Sequence, residues 1–492
     1  MLLSHLISHI KYTSVNFTDV DIADIVYDSR KARPDTVFVA LTGAFTDGHD
    51  YAESAYLKGT RVFIVERQLP LPYDAVQIVT DNSRRALGKM SEMLFDFPQN
   101  DIKVIGVTGT KGKTTVTHML RHCLDKAGRK SGVIGTVGAY YGDRFVPTVN
   151  TTPESYEIMR LLRLMADDGC EYCCMEVSSI GLKAHRTDDI DFEAAVFLNL
   201  SPDHIGGAEH ESFEEYAYWK KQLFKSCKKA YLCSDDEFTK EIIGELKCPY
   251  STFGVKTKAD MTADDIKPFS ENHLFGISFD VEYNGETVPA KTAMPGVFNV
   301  ENALSVLSVC TGLAVDIHTA VDALSSAKVK GRNESLDINA DFDVVIDYAH
   351  NGQSFASVLE TYKAYPHNRI ITVFGSVGDR AQLRRREMGE ISGKNADLSI
   401  ITTDDPGYED PKAICEEIAS YVEKAGGRYL IIVDRRQAVF TALDEAKKGD
   451  IVLLLGKGHE TVQKINGEKV HYSDHETAEE YFNNAELRMH NS

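Results

Sequence analysis

The stretch GVTGTKGKTT, residues 106–115, follows the apolar pair Val104-Ile105 and leads into a helical pattern over 114–127. A strand, a glycine-rich turn and a helix in that order aim several backbone N–H groups and the positive end of a helix dipole at one point, which suits a polyphosphate. The common phosphate-loop spacing, counted back from Gly112-Lys113-Thr114, asks for glycine at 107, where this chain has Val107 and carries glycines at 106 and 109 instead. The loop still reads as a nucleotide site. Gly109, Thr110, Lys111 and Gly112 would cradle a nucleotide's phosphates, Lys113 would lie over the β and γ phosphates, and Thr114, with Thr115 beside it, would open the helix and ligate Mg²⁺.

Outward from this loop the chain alternates strand-like and helical segments. Strand-like runs at 103–107, 132–136, 172–177 and 194–198, separated by helical patterns such as 154–168, have the rhythm of a mostly parallel sheet. Upstream, Thr36–Leu41 and Arg61–Val65 with a helical stretch over 83–95 read as a small α/β domain that ends near the polar, proline-containing segment 96–101. Downstream of the hinge-like Lys330-Gly331-Arg332, apolar runs at 343–347, 369–374, 398–402, 429–433 and 451–455 make a third, Rossmann-like α/β domain. The expected division is 1–100, 101–330 and 331–492, and a length of 492 residues suits about three domains.

Composition narrows the class. Hydrophobic residues at 43% and charged residues at 26% are ordinary for a globular protein, and a formal charge of −20 argues against a broad nucleic-acid or anionic-membrane surface. The N-terminus has no basic region ahead of a long apolar core, and no run of about 18 apolar residues occurs, so the cytoplasm is the expected compartment. Nine cysteines lack framework spacing; Cys170, Cys173 and Cys174 are expected to pack a buried strand rather than bind zinc, which wants a second ligand pair.

Further motifs place chemistry around the loop. Glu176 follows the apolar-rich stretch 172–175, at the C-terminal end of a strand where open α/β sheets gather ligands, and is a candidate Mg²⁺ ligand. Taken together, GTKGKTT, EVSS at 176–179, NLSPDH at 199–204, FNVEN at 298–302, GRNE at 331–334, DYAHNG at 347–352 and FGSVGDR at 374–380 resemble the Mur ligase family, ATP-dependent amide-forming enzymes of bacterial wall synthesis. The motifs run in family order over nearly the whole chain, and in that family GTxGKTT is the normal phosphate loop.

The resemblance implies ATP and two Mg²⁺ ions, with His204 helping to hold the second metal. It also implies a carbamylated Lys220 as a metal ligand, because a bare ammonium would repel the ions where a CO₂ adduct supplies an anionic oxygen. From the residues alone Lys220 and Lys221 are a basic pair on an amphipathic helix, and Trp219 stands where the family has alanine. Asn299 and Asn302 resemble adenine-side asparagines and could equally cap a helix. Arg332, Asp347 and His350 would close over ATP, or line a domain interface.

The outer domains carry the substrate. The segment from Tyr27 to Asp50 resembles the uridine-binding domain of the ligase that adds the third residue, which makes Ser29, Thr42 and His49 candidates for the uridine and pyrophosphate end. Asn150, Thr151, Thr152, Ser178 and Arg186 match positions that hold the sugar-peptide. Thr403-Asp-Asp-Pro-Gly407, Gly456-Lys-Gly-His-Glu460 and the arginines after Gly375 point to addition of a diamino acid to UDP-N-acetylmuramoyl-L-alanyl-D-glutamate. Arg385 would take the α-carboxylate, and Asp404, Asp405 and Glu460, with Gly456 beside them, the ammonium groups.

Enzymes of the family that add meso-diaminopimelate carry Asp-Asn-Pro-Arg at 404–407; here Asp405 and Gly407 remove a cation and add an anion, which favours L-lysine. L-Ornithine or meso-diaminopimelate are the alternatives, as are a folylpolyglutamate synthetase, the dipeptide-adding ligase, and a nucleotide-binding protein without catalysis. A monomer without nucleic-acid or membrane partners is expected.

Overall fold

The computed structural model describes residues 1–43, 46–202, 206, 209–378 and 382–490. The chain forms two compact units, residues 1–261 with 304–320, and residues 262–303 with 321–492.

The first unit holds two sheets. Near the N-terminus five strands lie in the order Thr13–Val15, Val76–Val79, Val62–Val65, Thr36–Val39, Asp24–Val26; only the first is antiparallel to its neighbour. Thr36–Val39 and Val62–Val65 are buried at every position, which accounts for their largely apolar sequences. The expected helix over 83–95 is Ser83–Leu94, started by Asn82, whose side chain accepts a hydrogen bond from the Arg85 amide.

The second sheet is built around Lys103–Thr108 (β1), which is followed by the helix Lys113–Lys126 (α1) and the strand Ser131–Gly135 (β2). Tyr172–Glu176 (β3) and Ala194–Phe197 (β4) flank β1 on opposite sides, both parallel to it, and β2 pairs with β3 on its far side. The chain therefore leaves β1 in one direction and later returns to its other edge. The carboxyl end of β1 is a topological switch point, the place where open α/β sheets bind ligands.

Val107 lies inside β1, opposite Glu176 of β3 and Val196 of β4, and is fully buried. The residue that breaks the common loop spacing is a core strand residue, so a side chain there is required for packing and does not intrude on the loop. Cys170, Cys173 and Cys174 are buried in and next to β3. Phe213–Gln222 (α2) carries Lys220 on its buried face with Tyr216 and Ala217.

The second unit contains an antiparallel pair that the reading of a mostly parallel central region did not include: Leu274–Tyr283 against Glu286–Thr292. The signal was local. Asn284 and Gly285 take φ of 52° and 80°, the two-residue turn that Asn-Gly favours, between alternating apolar and polar residues. Downstream, Asp343–Asp347 (β5), Ile370–Phe374 (β6), Leu398–Ile401 (β7), Tyr429–Ile431 (β8) and Ile451–Leu455 (β9) form a parallel sheet in the order β5-β9-β6-β7-β8, edged by the short antiparallel Glu334–Ser335. After β9 comes a small hairpin, Val462–Ile465 (β10) and Glu468–His471 (β11).

Candidate active site

In the first unit the loop between β1 and α1 turns at Gly112, whose φ of 89° lets the chain enter α1 directly at Lys113. Asn199, just beyond β4, clamps this loop from the side. Its side-chain oxygen accepts from the Lys111 amide at 2.9 Å, its side-chain nitrogen donates to the Lys111 carbonyl at 3.2 Å, and its own carbonyl accepts from the Thr110 amide at 2.9 Å. Thr110 Oγ1 bonds the Tyr216 hydroxyl at 3.1 Å and accepts from the Ser201 amide at 3.0 Å. Sequence reasoning took only His204 from this motif and missed Asn199; His204 lies outside the described residues.

Lys113 Nζ donates to the carbonyls of Gly109 at 2.8 Å and Thr110 at 3.3 Å. Lys220 is buried, its Nζ 4.6 Å from the Tyr216 ring centre, and it also donates to the Gly109 carbonyl at 2.8 Å. Two ammonium groups thus converge on one carbonyl oxygen, a pairing that an anion in the loop relieves by neutralising the repulsion between them.

Glu176 is buried beside them. Both its carboxylate oxygens lie 3.0 Å from the Thr114 hydroxyl, and it accepts from the Thr136 amide at 2.8 Å and the Thr136 hydroxyl at 3.2 Å. A Cβ on Gly135 would stand 2.2 Å from Glu176 Oε1, so glycine at 135 makes room for the carboxylate. The contacts of Glu176 among the described residues are hydroxyls and an amide, and a buried carboxylate so placed next to a phosphate loop fits a divalent cation.

A cavity of about 200 Å³ opens beside the loop, bounded among others by Lys113, Asn150, Thr151, Ser178, Arg186 and Lys220. Six separately noticed positions are therefore brought to one place. Thr152 is buried just behind, bonding the Glu176 carbonyl at 2.9 Å and the Ser178 hydroxyl at 3.1 Å, so it shapes the wall. Arg186 is held by Glu154 at 2.7 Å, which also pairs with Arg84 at 2.7 Å. Ser29, Thr42 and His49 do not line this cavity. Ser29 is half-buried in a single turn, Thr42 is exposed, and the His49 side chain is sealed, with Nδ1 2.6 Å from Asp47 and Nε2 accepting from the Glu66 amide at 2.9 Å. Both ring nitrogens of His49 are engaged in holding its own loop.

In the second unit Asn299 and Asn302 are buried at the start of the helix Phe298–Gly312, where Asn302 donates to Asn299 at 2.9 Å and Asn299 to the Pro295 carbonyl at 2.7 Å. Asp347 closes β5 and accepts from the amides of Asn333 at 2.7 Å and Ala349 at 2.8 Å, while burial raises its pKa. Arg332 lies over the Tyr348 ring at 4.9 Å with its Nε buried and unpartnered among the described residues. His350 Nδ1 is 2.7 Å from the Tyr348 carbonyl, and burial lowers its pKa.

Asp404, Asp405 and Glu460 do converge, with carboxylate oxygens within 4.8 Å of one another. Between them stands Lys457, fully buried, its Nζ 2.7 Å from Glu460, 2.9 Å from Asp405 and 3.6 Å from Asp404. Burial opposes its charge, yet the carboxylates of Asp404, Glu460 and Asp405 outweigh that and raise its pKa. The anionic cluster inferred from sequence is therefore partly neutralised from within. Gly456 takes φ of 107°, and a Cβ there would meet Asp404 Oδ2 at 2.8 Å. Arg385 is buried and already engaged by Glu409 at 2.9 Å and Glu417 at 2.8 Å, so a substrate carboxylate would share it with them.

His459 lies two residues after Lys457, its ring centre 5.1 Å from that of Tyr348 in a tilted arrangement. Burial, with Arg332, Lys330 and Lys457 nearby, lowers its pKa to about 4. The unfolded chain therefore binds the proton more readily, and stability is lost as the pH falls through 6.5 towards 4. Between pH 7 and pH 5 the expected loss is ~2 kcal/mol, and urea unfolding of His459→Asn should lack that increment.

Comparison with known proteins completes the picture. The chain matches the Mur ligase family catalytic domain over 21–93, the Mur ligase middle domain over 107–310 and the Mur ligase glutamate ligase domain over 331–458. It is 39% identical over 481 residues to the UDP-N-acetylmuramoyl-L-alanyl-D-glutamate–2,6-diaminopimelate ligase of Caldanaerobacter subterraneus subsp. tengcongensis, covering 98% of both chains. The enzyme of the same name from Clostridium botulinum is 34% identical over 98% of this chain and 99% of its own. A solved structure of a ligase of that name superposes with a TM-score of 0.67 at 28% identity, covering 94% of this chain and 95% of that one. These relatives are named for diaminopimelate, not for the L-lysine that Asp405 and Gly407 suggested. The chain belongs to the Mur ligase family and is an ATP-binding acid–amino-acid ligase of peptidoglycan precursor synthesis.

Proposed function

We propose that the chain joins a diamino acid to the D-glutamate γ-carboxylate of UDP-N-acetylmuramoyl-L-alanyl-D-glutamate at the expense of ATP, and that the amino acid is meso-diaminopimelate. The 39% identity over 98% of both chains to a ligase of that name carries the choice of amino acid. Lys457 offsets one of the three carboxylates of the acidic cluster, so the cluster is less anionic than its sequence alone suggested.

In the proposed reaction a γ-carboxylate oxygen attacks the γ-phosphorus of ATP, ADP leaves, and an acyl phosphate forms. The incoming amine attacks that carbonyl, a tetrahedral intermediate expels phosphate, and the amine loses its proton. Lys113 and the amides of the loop from Gly109 to Thr115 hold the phosphates, positioned by Asn199. Thr114, Glu176, His204 and a carbamylated Lys220 would hold magnesium, which supplies neutralisation of the phosphoryl oxygens. A CO₂ adduct on Lys220 would also remove one of the two ammonium groups on the Gly109 carbonyl. Asn150, Thr151, Ser178 and Arg186 bind the sugar-peptide, with Ser29 and Thr42 towards the uridine.

L-Lysine remains the second reading, favoured by Asp405 and by the missing side chain at Gly407. A phosphate-release assay with the UDP-dipeptide and meso-diaminopimelate, L-lysine or L-ornithine decides between them. Turnover highest with meso-diaminopimelate is expected. Preference for L-lysine would carry the second reading, and phosphate release with a folate but not with the UDP-dipeptide would reassign the enzyme within its family.

A further inference from the structure

The acidic cluster of the second unit has an asymmetric rim. Its buried cations are committed: Lys457 to three carboxylates, Arg385 to Glu409 and Glu417, and Arg435 to Asp474. Lys464, on β10, differs from these. Its side chain is 58% exposed, and its Nζ stands 3.7 Å from Asp405 Oδ2, a loose and solvated pair. Such a pair contributes little by itself, so the ammonium is available to a second anion at low cost.

The backbone holds Lys464 in that place. Its amide donates to Asp405 Oδ1 at 3.1 Å and its carbonyl accepts from the Gly407 amide at 3.2 Å, while the Asn466 amide donates to the Gly407 carbonyl at 2.7 Å. Gly407 takes φ of 61° and pairs with Ile465 as a single parallel bridge. The hairpin is thereby fastened to the 404–407 loop, and Lys464, next to the bridged Ile465, brings its ammonium to Asp405. The site thus sets a mostly buried carboxylate, 13% exposed, beside an ammonium whose side chain is 58% exposed.

A side chain ending in both an ammonium and a carboxylate needs that pairing; one ending in an ammonium alone needs only the carboxylate. We propose that Lys464 is a specificity-determining residue that binds the distal carboxylate of a diamino dicarboxylic acid, with Asp405 taking the neighbouring ammonium. This rests on the reading of the amino acid given above. Lys464 is identified by where the fold places it, 57 residues beyond Gly407.

The test is steady-state kinetics of the full chain with meso-diaminopimelate and with L-lysine. Lys464→Met should raise KM for meso-diaminopimelate about tenfold to hundredfold, the effect of losing one charge-assisted contact, with a smaller change in kcat. KM for ATP and for the UDP-dipeptide, the rate with L-lysine and the melting temperature should stay near those of the parent. Lys464→Arg, which keeps the cation, should hold KM within a few-fold. If Lys464→Met folds normally and keeps the parental KM for meso-diaminopimelate, the proposal is wrong, and Lys464→Gln gives the same reading should the methionine variant melt early. A parent enzyme that uses L-lysine and ignores meso-diaminopimelate would overturn the amino-acid reading before any variant is made, and the role of Lys464 with it.

Discussion

Lys113→Ala is expected to lower phosphate release by about 10³-fold, ~4 kcal/mol of transition-state stabilisation, the scale seen when one preorganised electrostatic donor is removed. Lys113 is the first residue of α1, set by the left-handed Gly112, so its ammonium reaches back over the loop to the carbonyls of Gly109 and Thr110. In the proposed reaction the γ-phosphoryl oxygens gather charge as ADP leaves, and the ammonium meets that charge without reorganising. The fold should tolerate the change, because the clamp of Asn199 on Thr110 and Lys111 that shapes the loop does not involve the Lys113 side chain. A melting temperature near the parent's, together with the rate loss, is the expected pair of results. A rate within about threefold of the parent would mean the loop does not cradle the transferred phosphate.

Asp474→Asn is expected to cost about 3–5 kcal/mol of stability, because it leaves the buried Arg435 charge without its counter-ion. The side chains of both residues are fully buried, and the contact is two-pronged, with Arg435 Nε donating to Oδ1 at 2.9 Å and Nη2 to Oδ2 at 2.8 Å. Tyr472 adds a hydroxyl to Asp474 at 2.7 Å. For a unit of this size the loss corresponds to a fall of about 10 °C in melting temperature. The neighbouring pair Arg436 and Glu480, bonded but about half exposed, provides the contrast: Glu480→Gln should leave the melting temperature essentially unchanged.

A second effect distinguishes this pair from mere ballast. Arg435 Nη2 also donates to the Leu455 carbonyl at 2.9 Å, and Nη1 reaches the Thr403 carbonyl at 3.5 Å. These two carbonyls precede Gly456 and Asp404 directly. Loosening them should raise KM for the amino acid more than KM for ATP, measured below the melting temperature. Equal changes in both constants would confine Arg435 to stability.

Much of the site was legible one motif at a time. The loop, α1, β3 and the strands of the last sheet follow from apolar runs and glycine placement, and their bounds differ from the expected ones by only a residue or two, as with Lys113–Lys126 for 114–127. Glu176 was placed by its position after an apolar run, and the structure sets it against Thr114 as that position implied. His49 shows the limit. A polar residue in a motif reads as a ligand, whereas Asp47 and the Glu66 amide engage both its nitrogens, and the second of these partners is 17 residues away.

The sequence by itself determined the alternation of strand and helix and the glycine-rich turn ahead of α1, because those depend on periodicity and on backbone conformations open to glycine, while the class of chemistry followed from the resemblance of its ordered motifs to the Mur ligase family. Only the tertiary structure decided the charge of the acidic cluster. Asp404 and Asp405 looked unopposed until Lys457, some fifty residues on, was found among them and Lys464 beside them. Electrostatic balance depends on which groups lie within about 4 Å, and that distance is set by how β7, β9 and β10 come together, which no single segment encodes.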